Sequence, residues 1–431
     1  MIRIRTMASI VLAGVFFVAA VTAAFVDEAA AKAATVSLTL QESIDLALKK
    51  NVMLSAEMQK VDIAADRLAQ ARAQQKFTIG AGASASHFLP NEFPVNSTSY
   101  DLGLQLNQPI YSGGRLEAQE EQAEIALEQA GVDLEARKED LILSVKRAFY
   151  GLAKAQRMEV VAREAVAQAR AHLEVTQKFY KAGTVAKYDL LRAETQLAQV
   201  QQNLVMASNG VGLAMNALNN LLGVDLSTTV QLKLSPEIKP VKRSLDDLIS
   251  LAWEQRPELR SLALSDRLNA AGRKIMISAV RPNIDGTLSY AIYHQDMTAA
   301  TSGIWTIGVS ARVSLFDNGL TKSRLSENTN IAEQLKLMTD DAKRNISLQV
   351  RQSYLQLQQD KKLIDASRQA LAQAEEGNRI AVVRYQSGVS TSVELIDAQT
   401  ALTQAKINYS NAVSDYEIAL SELERAVSME L

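Results

Sequence analysis

The segment that decides the fold is Tyr385-Gln-Ser-Gly-Val-Ser-Thr-Ser-Val-Glu-Leu-Ile-Asp-Ala-Gln-Thr-Ala-Leu402, because the chain carries a second copy of it 205 positions upstream. That copy reads Tyr180-Lys-Ala-Gly-Thr-Val-Ala-Lys-Tyr-Asp-Leu-Leu-Arg-Ala-Glu-Thr-Gln-Leu197. In both copies a helical pattern runs into a glycine, breaks for a few residues and resumes. Glycine suits such a break because it adopts left-handed dihedrals without a Cβ clash. We therefore predict that Gly183 and Gly388 form the turns of two long helical hairpins.

The flanking sequence predicts the same helices in the same order in both halves of the chain. Thr39 with Glu42, and Ser244 with Asp247, have the spacing of capping boxes that open short helices. Uninterrupted helical patterns carry apolar residues every seven positions, which is typical of coiled-coil packing. These residues are Leu127, Leu134, Leu141, Ala148, Ala155, Ala162 and Ala169 in the first half, and Val350, Leu357, Ile364 and Leu371 in the second. The predicted helices cover 40–50, about 52–76, 115–181 and 187–222, and then 245–255, 257–280 and 320–386, with another helix after the second turn.

Strict alternation of apolar and polar residues interrupts this helical pattern once in each half, and predicts strands with one apolar face. A weaker alternating segment precedes each of these strands, which predicts β-hairpins at about 77–108 and 282–315. The apolar positions of the two stronger strands are Tyr100, Leu102 and Leu104 in the first half and Trp305, Ile307 and Val309 in the second.

The amino terminus has the pattern of a bacterial secretory signal. Arg3 and Arg5 precede an apolar run over about 10–26, and Ala31-Lys32-Ala33 offers a small-residue cleavage site. A retained membrane anchor is the alternative, although the run is short for a spanning helix. We accordingly divide the chain into a signal peptide (1–33), a first structural repeat (34–222), an equatorial linker (223–243) and a second structural repeat (244–431).

Exported amphipathic strands suggest a membrane β-barrel, since strands can cross hydrocarbon only when every backbone group is paired. The four strands of one chain are too few to close, because the smallest membrane barrels use eight. Two chains would give a barrel filled by side chains, whereas three would give twelve strands around a polar, water-filled lumen. An ordinary half-buried hairpin is the alternative for each strand pair taken alone. The predicted fold class is mainly α with a membrane β-barrel.

Composition and motifs indicate a protein without catalytic chemistry. The 46 basic and 48 acidic residues give a net charge of −2, so no nucleic-acid partner is predicted. There is no cysteine for a disulfide, a thiolate metal site or a lipid anchor. The three histidines, His87, His172 and His294, show no metal-ligand spacing, and we expect all three at the surface. We therefore predict no enzyme activity, no cofactor, no metal site and no catalytic residue.

With these elements in place, the chain resembles the TolC-like outer-membrane channels of efflux and secretion systems. The resemblance runs from about residue 38 to the end, and the duplicated glycine turns share in it. The other matching segments are Leu38-Thr-Leu-Gln-Glu-Ser-Ile-Asp-Leu-Ala-Leu48, Gln108-Pro-Ile-Tyr-Ser-Gly-Gly-Arg115 and Leu218-Asn-Asn-Leu-Leu-Gly223.

The resemblance implies a homotrimer in the outer membrane of a Gram-negative bacterium. It implies a twelve-stranded trimeric barrel set in outer-membrane lipid, with the duplicated α-hairpins forming a helical tunnel across the periplasm. It also implies two partners, a periplasmic adaptor (membrane fusion) protein and an inner-membrane transporter. Cargo stays open among drugs, metal ions and secreted protein.

The candidate functional residues lie around the two turns. Gly183, Gly388, Tyr180 and Tyr385 are predicted to dock the adaptor. Glu394 and Asp397, which share one helical face, and Asp189 in the first copy correspond to acids at the periplasmic entrance of the family's channels. A solvated helix face is the alternative for these acids.

The chain departs from the family at the second turn, where some relatives carry a basic residue that could latch the closed state. Here that position holds Ser390. An ion pair that closes the entrance would therefore need Lys187, Arg192 or Arg384. The identity of the latch stays open.

Two other classes of protein compete with the channel. A periplasmic coiled-coil adaptor without a pore needs only one hairpin and no amphipathic strand pairs. An integral-membrane enzyme is disfavoured because no catalytic motif is present. The migration of heat-modifiable trimers after outer-membrane extraction distinguishes among the three.

Overall fold

The computed structural model describes residues 35–88, 97–234, 241–295 and 302–431, so the predicted signal peptide lies outside the described residues. Within these ranges the chain forms eight helices and six strands. In order, they are β1 (Thr35–Leu38), α1 (Leu40–Lys50), α2 (Val52–Ala73), β2 (Thr78–Phe88), β3 (Ser97–Tyr111), α3 (Arg115–Lys181), α4 (Lys187–Leu222), β4 (Thr229–Leu232), α5 (Leu245–Gln255), α6 (Pro257–Ser278), β5 (Asn283–Gln295), β6 (Ser302–Arg312), α7 (Leu320–Gln386) and α8 (Ser392–Val427).

Every helix of the first half has a counterpart of identical length that begins 205 residues later. The shared lengths are 11 residues for α1 and α5, 22 for α2 and α6, 67 for α3 and α7, and 36 for α4 and α8. The predicted bounds of α1, α3, α4, α5 and α7 are confirmed. Helices α2 and α6 end a few residues earlier than predicted, because their last turns tighten into three-residue hydrogen bonds such as Lys76 N to Ala73 O at 3.0 Å.

The capping signals seen in the sequence open the short helices. The backbone N–H of Glu42 donates to Oγ1 of Thr39 at 3.2 Å, and the N–H of Thr39 donates back to the Glu42 carboxylate at 2.7 Å. At α5, the N–H of Asp247 donates to Oγ of Ser244 at 3.2 Å. Each bond satisfies an amide that the first helical turn leaves without a partner.

The chain folds into two compact units, and each combines segments of both sequence repeats. Unit 1 contains residues 1–50, 145–238 and 367–414, which include both glycine turns. Unit 2 contains residues 51–144, 239–366 and 415–431, which include the long strands. Across the described residues, no helix combines the length and the apolar character needed to cross a membrane.

In unit 2, the long strands form one antiparallel sheet in the order β2-β3-β5-β6. The sequence predicts two separate hairpins, whereas β3 also pairs with β5 and merges them. The alternation gives no signal for this pairing, because its partners, such as Leu104 and Tyr290, are far apart in the chain. Strands β2 and β6 are the two edges of the sheet.

The register places most apolar residues of the four strands on one face of this sheet, with Ala291 and Ile304 on the other. Each row across the sheet continues the alternation of its neighbours, so polar and glycine positions share the opposite face. One apolar row runs through Ala81, Leu104, Tyr290 and Trp305, and the next polar row runs through Gly80, Gln105, Ser289 and Thr306.

In unit 1, the predicted equatorial linker contains a strand that the sequence did not predict. Strand β4 pairs in parallel with β1, and the register runs from Thr35–Thr229 to Leu38–Leu232. Four residues are too few for a clear alternation signal. Gly223, with φ 65°, turns the chain out of α4 toward this strand, and a Cβ there would lie 2.5 Å from the carbonyl oxygen of Lys50. A close approach with positive φ requires glycine at this position.

Helix packing in unit 2 follows the heptads only in part. Val350, Leu357 and Ile364 of α7 are buried as their spacing predicts. On α3, the predicted stripe through Leu127 and Leu134 is half-buried. Its place in the core is taken by a neighbouring stripe that packs against α6, with Ile125, Val132, Leu264 and Ala271 forming the cluster. The sequence indicates the period of the pattern, but not which stripe contacts α6.

Candidate functional site

Both glycine turns close the preceding helix with the same pair of backbone hydrogen bonds. Gly183 and Gly388 have φ angles of 76° and 72°. The glycine N–H donates to the carbonyl of the tyrosine three residues earlier at 3.0 Å in both copies. The next N–H, of Thr184 or Val389, donates to the carbonyl five residues earlier, also at 3.0 Å. This is the Schellman motif, which needs a left-handed residue and therefore favours glycine.

The two turns differ in how the following helix begins. Helix α8 is capped by Thr391, whose Oγ1 accepts from the N–H of Glu394 at 3.3 Å. The matching residue before α4 is Ala186, which makes no side-chain cap hydrogen bond. An alanine in place of a capping hydroxyl costs about 1 kcal/mol. The first turn therefore holds its second helix less firmly than the second turn does.

The equivalent tyrosines have different environments. Tyr180 is 40% exposed, whereas Tyr385 is 3% exposed. The hydroxyl groups of Tyr385 and Thr176 lie 2.8 Å apart, and Oγ1 of Thr176 also donates to the carbonyl of His172 at 2.9 Å. The Tyr385 ring packs edge-on to His172, with centroids 4.9 Å apart. Within unit 1, Tyr385 thus packs the end of α7 against α3, and only Tyr180 of the pair presents surface.

The expectation that His172 lies at the surface is wrong, since this side chain is 3% exposed. Its Nε2 lies 3.0 Å from Oγ of Ser392, while Nδ1 has no hydrogen-bond partner among the described residues. Burial lowers the pKa of His172 below its ordinary value, and the negative charge of Asp189 partly opposes that shift. The side chain of His87 is exposed as expected, and that of His294 lies outside the described residues.

The predicted entrance acids lie at the start of the helices that follow the turns. Glu394 and Asp397 are both exposed on α8, and Asp189 is half-buried on α4. Of the three cations considered for a latch, Arg384 pairs with an entrance acid, with Nη2 lying 3.8 Å from Oε2 of Glu394. Both side chains are about half exposed, so this pair contributes well under 1 kcal/mol.

The predicted lipid-facing residues lie on the apolar face of the sheet in unit 2. Their side chains are exposed in the isolated chain, and Ile307 is 82% exposed. An isolated chain in water would gain free energy by covering such a face. The other five predicted lipid-facing residues are Tyr100, Leu102, Leu104, Trp305 and Val309.

In the part of the chain that the structure describes, no group of three or more His, Cys, Asp or Glu side chains could hold a metal ion.

Comparison with known proteins assigns the chain to a family. The sequence profile described as "Outer membrane efflux protein" matches residues 43–224 and 248–428. The chain therefore belongs to the outer membrane efflux protein family, and its place is the outer membrane. Members of this family carry out efflux and transport.

Individual relatives are distant but span most of the chain. The chain is 26% identical over 350 residues to the outer membrane protein TolC of Vibrio cholerae, covering 78% of each protein. It is 23% identical over 404 residues to the cobalt-zinc-cadmium resistance protein CzcC of Cupriavidus metallidurans, covering 90% of this chain and 89% of CzcC. The crystal structure of the CmeC outer membrane channel of Campylobacter jejuni shares the fold, with a TM-score of 0.81 at 17% identity over 90% of this chain and 85% of CmeC.

Proposed function

We propose that three copies of this chain form an outer-membrane channel whose sheets close into one twelve-stranded barrel. The observation that carries the proposal is the four-stranded sheet, which has one apolar face and two open edges, β2 and β6. In hydrocarbon, backbone groups on open edges would remain unpaired, so β6 of one copy must pair with β2 of the next. Three copies are the smallest number that leaves a water-filled lumen.

The polar face of the sheet supports a lumen that accepts hydrophilic cargo. It carries small and hydrogen-bonding residues, and the glycines leave space at the wall. Its members include Gly82, Ser84, Asp101, Gln105, Ser289 and Thr306. A lining of this kind is wettable without being selective, so cargo selection belongs to the partner proteins.

We assign the periplasmic end of the channel to the two glycine turns, where a periplasmic adaptor meets the hairpins. The resemblance to TolC-like channels supports this assignment. The exposed side chain of Tyr180 and the free surface around Gly183 and Gly388 also support it, since nothing lies within 4 Å of a Cβ built on either glycine. The energy for transport comes from an inner-membrane transporter. Cargo is set there, and the name of CzcC favours metal ions as one class to test.

Engineered disulfides test the barrel, because the natural chain has no cysteine. Ala81→Cys on β2 is combined in turn with Trp305→Cys, Ile307→Cys or Val309→Cys on β6, which share its face of the sheet. Within one chain these strands are three spacings apart, about 14 Å, which no disulfide bridges. Oxidised outer membranes should therefore yield a covalent trimer on a non-reducing gel for at least one pair.

Two controls make the result specific. Ala81→Cys alone can link at most two chains. Ala81→Cys with Thr306→Cys places the thiols on opposite faces and should give little product. If none of the three same-face pairs gives a covalent trimer in membranes that contain the protein, the barrel proposal is wrong.

A further inference from the structure

Apart from Arg312 at the end of β6, lysine and arginine are absent from the strand region and reappear at one end of it. Segments 77–111 and 282–311 contain no lysine or arginine. Lys76 and Arg281 stand immediately before these segments, and Arg115 and Lys322 follow at the start of α3 and α7. These four residues, which we call the basic collar, border the helix-proximal end of the sheet. Arg312 ends β6 in line with its polar positions and is not counted with them.

The basic collar carries positive charge that the protein itself does not neutralise. All four side chains belong to exposed residues, and among the described residues none forms an ion pair. Among the described residues, their side-chain hydrogen bonds go to neutral oxygens, with Arg281 donating to the carbonyl of Gly113 and Arg115 to Oε1 of Gln119.

Some basic residues farther along these helices form ion pairs, which the collar residues lack within the described ranges. Arg72, Arg267 and Lys274 form ion pairs, with partner distances of 2.7 Å to Glu120, 2.7 Å to Glu128 and 2.6 Å to Glu121. Carboxylates therefore neutralise these three residues, whereas the collar residues have no ion-pair partner among the described residues. A basic collar whose positive charge is not compensated, next to an apolar face, fits an anionic partner located at that boundary.

Exposed apolar side chains stand beside the basic collar. Phe77 and Phe316 are 59% and 81% exposed, and Leu315 is 92% exposed. Phe77 precedes β2 and the other two follow β6, so they lie at the end of the strands where the collar residues also stand in the sequence. Aromatic and basic side chains together are typical of the boundary between hydrocarbon and headgroups, where long basic side chains reach the phosphates.

We propose that the basic collar, with Phe77, Leu315 and Phe316, binds the headgroups of anionic phospholipids in the membrane leaflet nearest the helices. This proposal rests on the proposed insertion of the sheet into the outer membrane. The collar charge attracts the phosphate of a lipid such as phosphatidylglycerol, and the apolar side chains contact its acyl chains. A zwitterionic headgroup offers the same apolar contacts without net charge, so the collar discriminates by charge.

Tryptophan quenching by brominated lipids tests the collar and the insertion separately, because the chain has only Trp253 and Trp305. In Trp253→Phe, Trp305 reports on the apolar sheet face. In Trp253→Phe/Trp305→Phe/Phe316→Trp, the new tryptophan reports beside the collar. Full-length protein is reconstituted into vesicles that contain brominated phosphatidylglycerol or brominated phosphatidylcholine. At the collar, we expect quenching to favour phosphatidylglycerol by about fivefold, consistent with roughly one basic residue per headgroup.

Removing three of the four collar charges with Lys76→Gln/Arg115→Gln/Lys322→Gln should remove most of this preference, while 1 M salt should reduce it by screening. The matched control is Lys60→Gln/Lys336→Gln/Arg379→Gln, which removes the same charge from exposed helix positions that hold ion pairs and should keep the preference. If Trp305 is quenched but the collar shows no preference, or keeps it after neutralisation, the collar proposal is wrong and insertion stands. If Trp305 is not quenched by either lipid, insertion and the collar both fail.

Discussion

The hydroxyl oxygen of Tyr385 lies 2.8 Å from Oγ1 of Thr176, which joins the last turn of α7 to α3 within unit 1. The equivalent residue of the first copy, Tyr180, is exposed. One of two repeated tyrosines therefore joins its own hairpin to the other hairpin, and the second tyrosine is available to a partner. The two copies of the repeated tyrosine therefore have different structural roles.

Tyr385→Phe should loosen the second turn, because it removes one buried hydrogen bond worth about 1 kcal/mol. Amides of 383–389 should then exchange with solvent about fivefold faster, since local opening becomes easier by that amount. Hydrogen exchange followed by mass spectrometry measures the change. Tyr180→Phe is the matched control, and an equal acceleration there would contradict the role given to Tyr385.

The packing around the second turn should weaken in acid. Burial lowers the pKa of His172 in the folded protein, so the opened state binds a proton more readily. The stabilisation is present above the ordinary histidine pKa, about 6.5, and is lost as pH falls from there through the lowered value. The negative charge of Asp189 moderates the effect, and the other side chains that contact the imidazole carry hydroxyl groups, Tyr385 and Ser392.

Limited proteolysis at the turn across pH 7.5 to about 5 should show cleavage rising in the wild type as His172 is protonated. His172→Gln should flatten this dependence, whereas His87→Gln, at an exposed position on β2, should leave it unchanged. A pH profile that is identical in the wild type and His172→Gln would rule out this residue as the cause.

Gly388→Val should impair export without reducing the yield of assembled protein. Space is not the obstacle, since nothing lies within 4 Å of the added Cβ, but φ of 72° is strained for a β-branched residue by about 1–2 kcal/mol. Gly377→Val offers a control in helix α7 with the same open space and no positive φ. Export assays and trimer yield measure both variants, and equal defects would argue against a special role for the turn.

Replacing the entrance acids should reduce cation preference. Glu394→Gln/Asp397→Asn removes six charges from a trimer, and like charges in a narrow entrance focus the field on passing ions. Arg384→Gln should act in the opposite direction, because its guanidinium lies 3.8 Å from Glu394 and offsets that charge. Reversal potentials in planar bilayers at low salt measure both. Unchanged selectivity in the double variant would show that the acids are an ordinary solvated surface.

A charge on the apolar face of the sheet should be costly. Ile307→Arg should destabilise the inserted protein by about 2–4 kcal/mol if it lies near the middle of the bilayer. Thr306→Arg, its neighbour on the polar face, should be tolerated. Urea titration of each reconstituted variant compares the two, and equal tolerance would contradict the assignment of faces.

The helices could be predicted closely because their signals are local. A capping pair such as Thr39 and Glu42, or a glycine with a heptad pattern before it, identifies a boundary without knowledge of any distant contact. Because the sequence is duplicated, each element is predicted twice, once in each half of the chain. Strand alternation worked for the same reason, since it identified which residues of β3 and β6 share a face.

The structural features that the sequence did not predict depend on contacts between distant segments. His172 reads as a surface residue on a long helix, although it lies three positions after Ala169 in the predicted heptad stripe and could have been assigned to the buried side on that basis. The β3–β5 pairing and the β1–β4 pairing leave no pattern in either strand. The different environments of Tyr180 and Tyr385 depend on Thr176 and His172, which have no repeated counterparts in the sequence.

The open edges of the sheet have a genetic consequence. A copy that has not yet joined its neighbours carries unpaired strand edges and an uncovered apolar face, both of which invite wrong association. Completion of its sheet and recruitment of its neighbours are therefore a single event in the proposed assembly. A chain with a defective β2 or β6 would still capture normal copies through its sound edge. In a cell that makes both kinds of chain, such an allele should be dominant, because one defective chain prevents closure of the trimeric barrel that it joins.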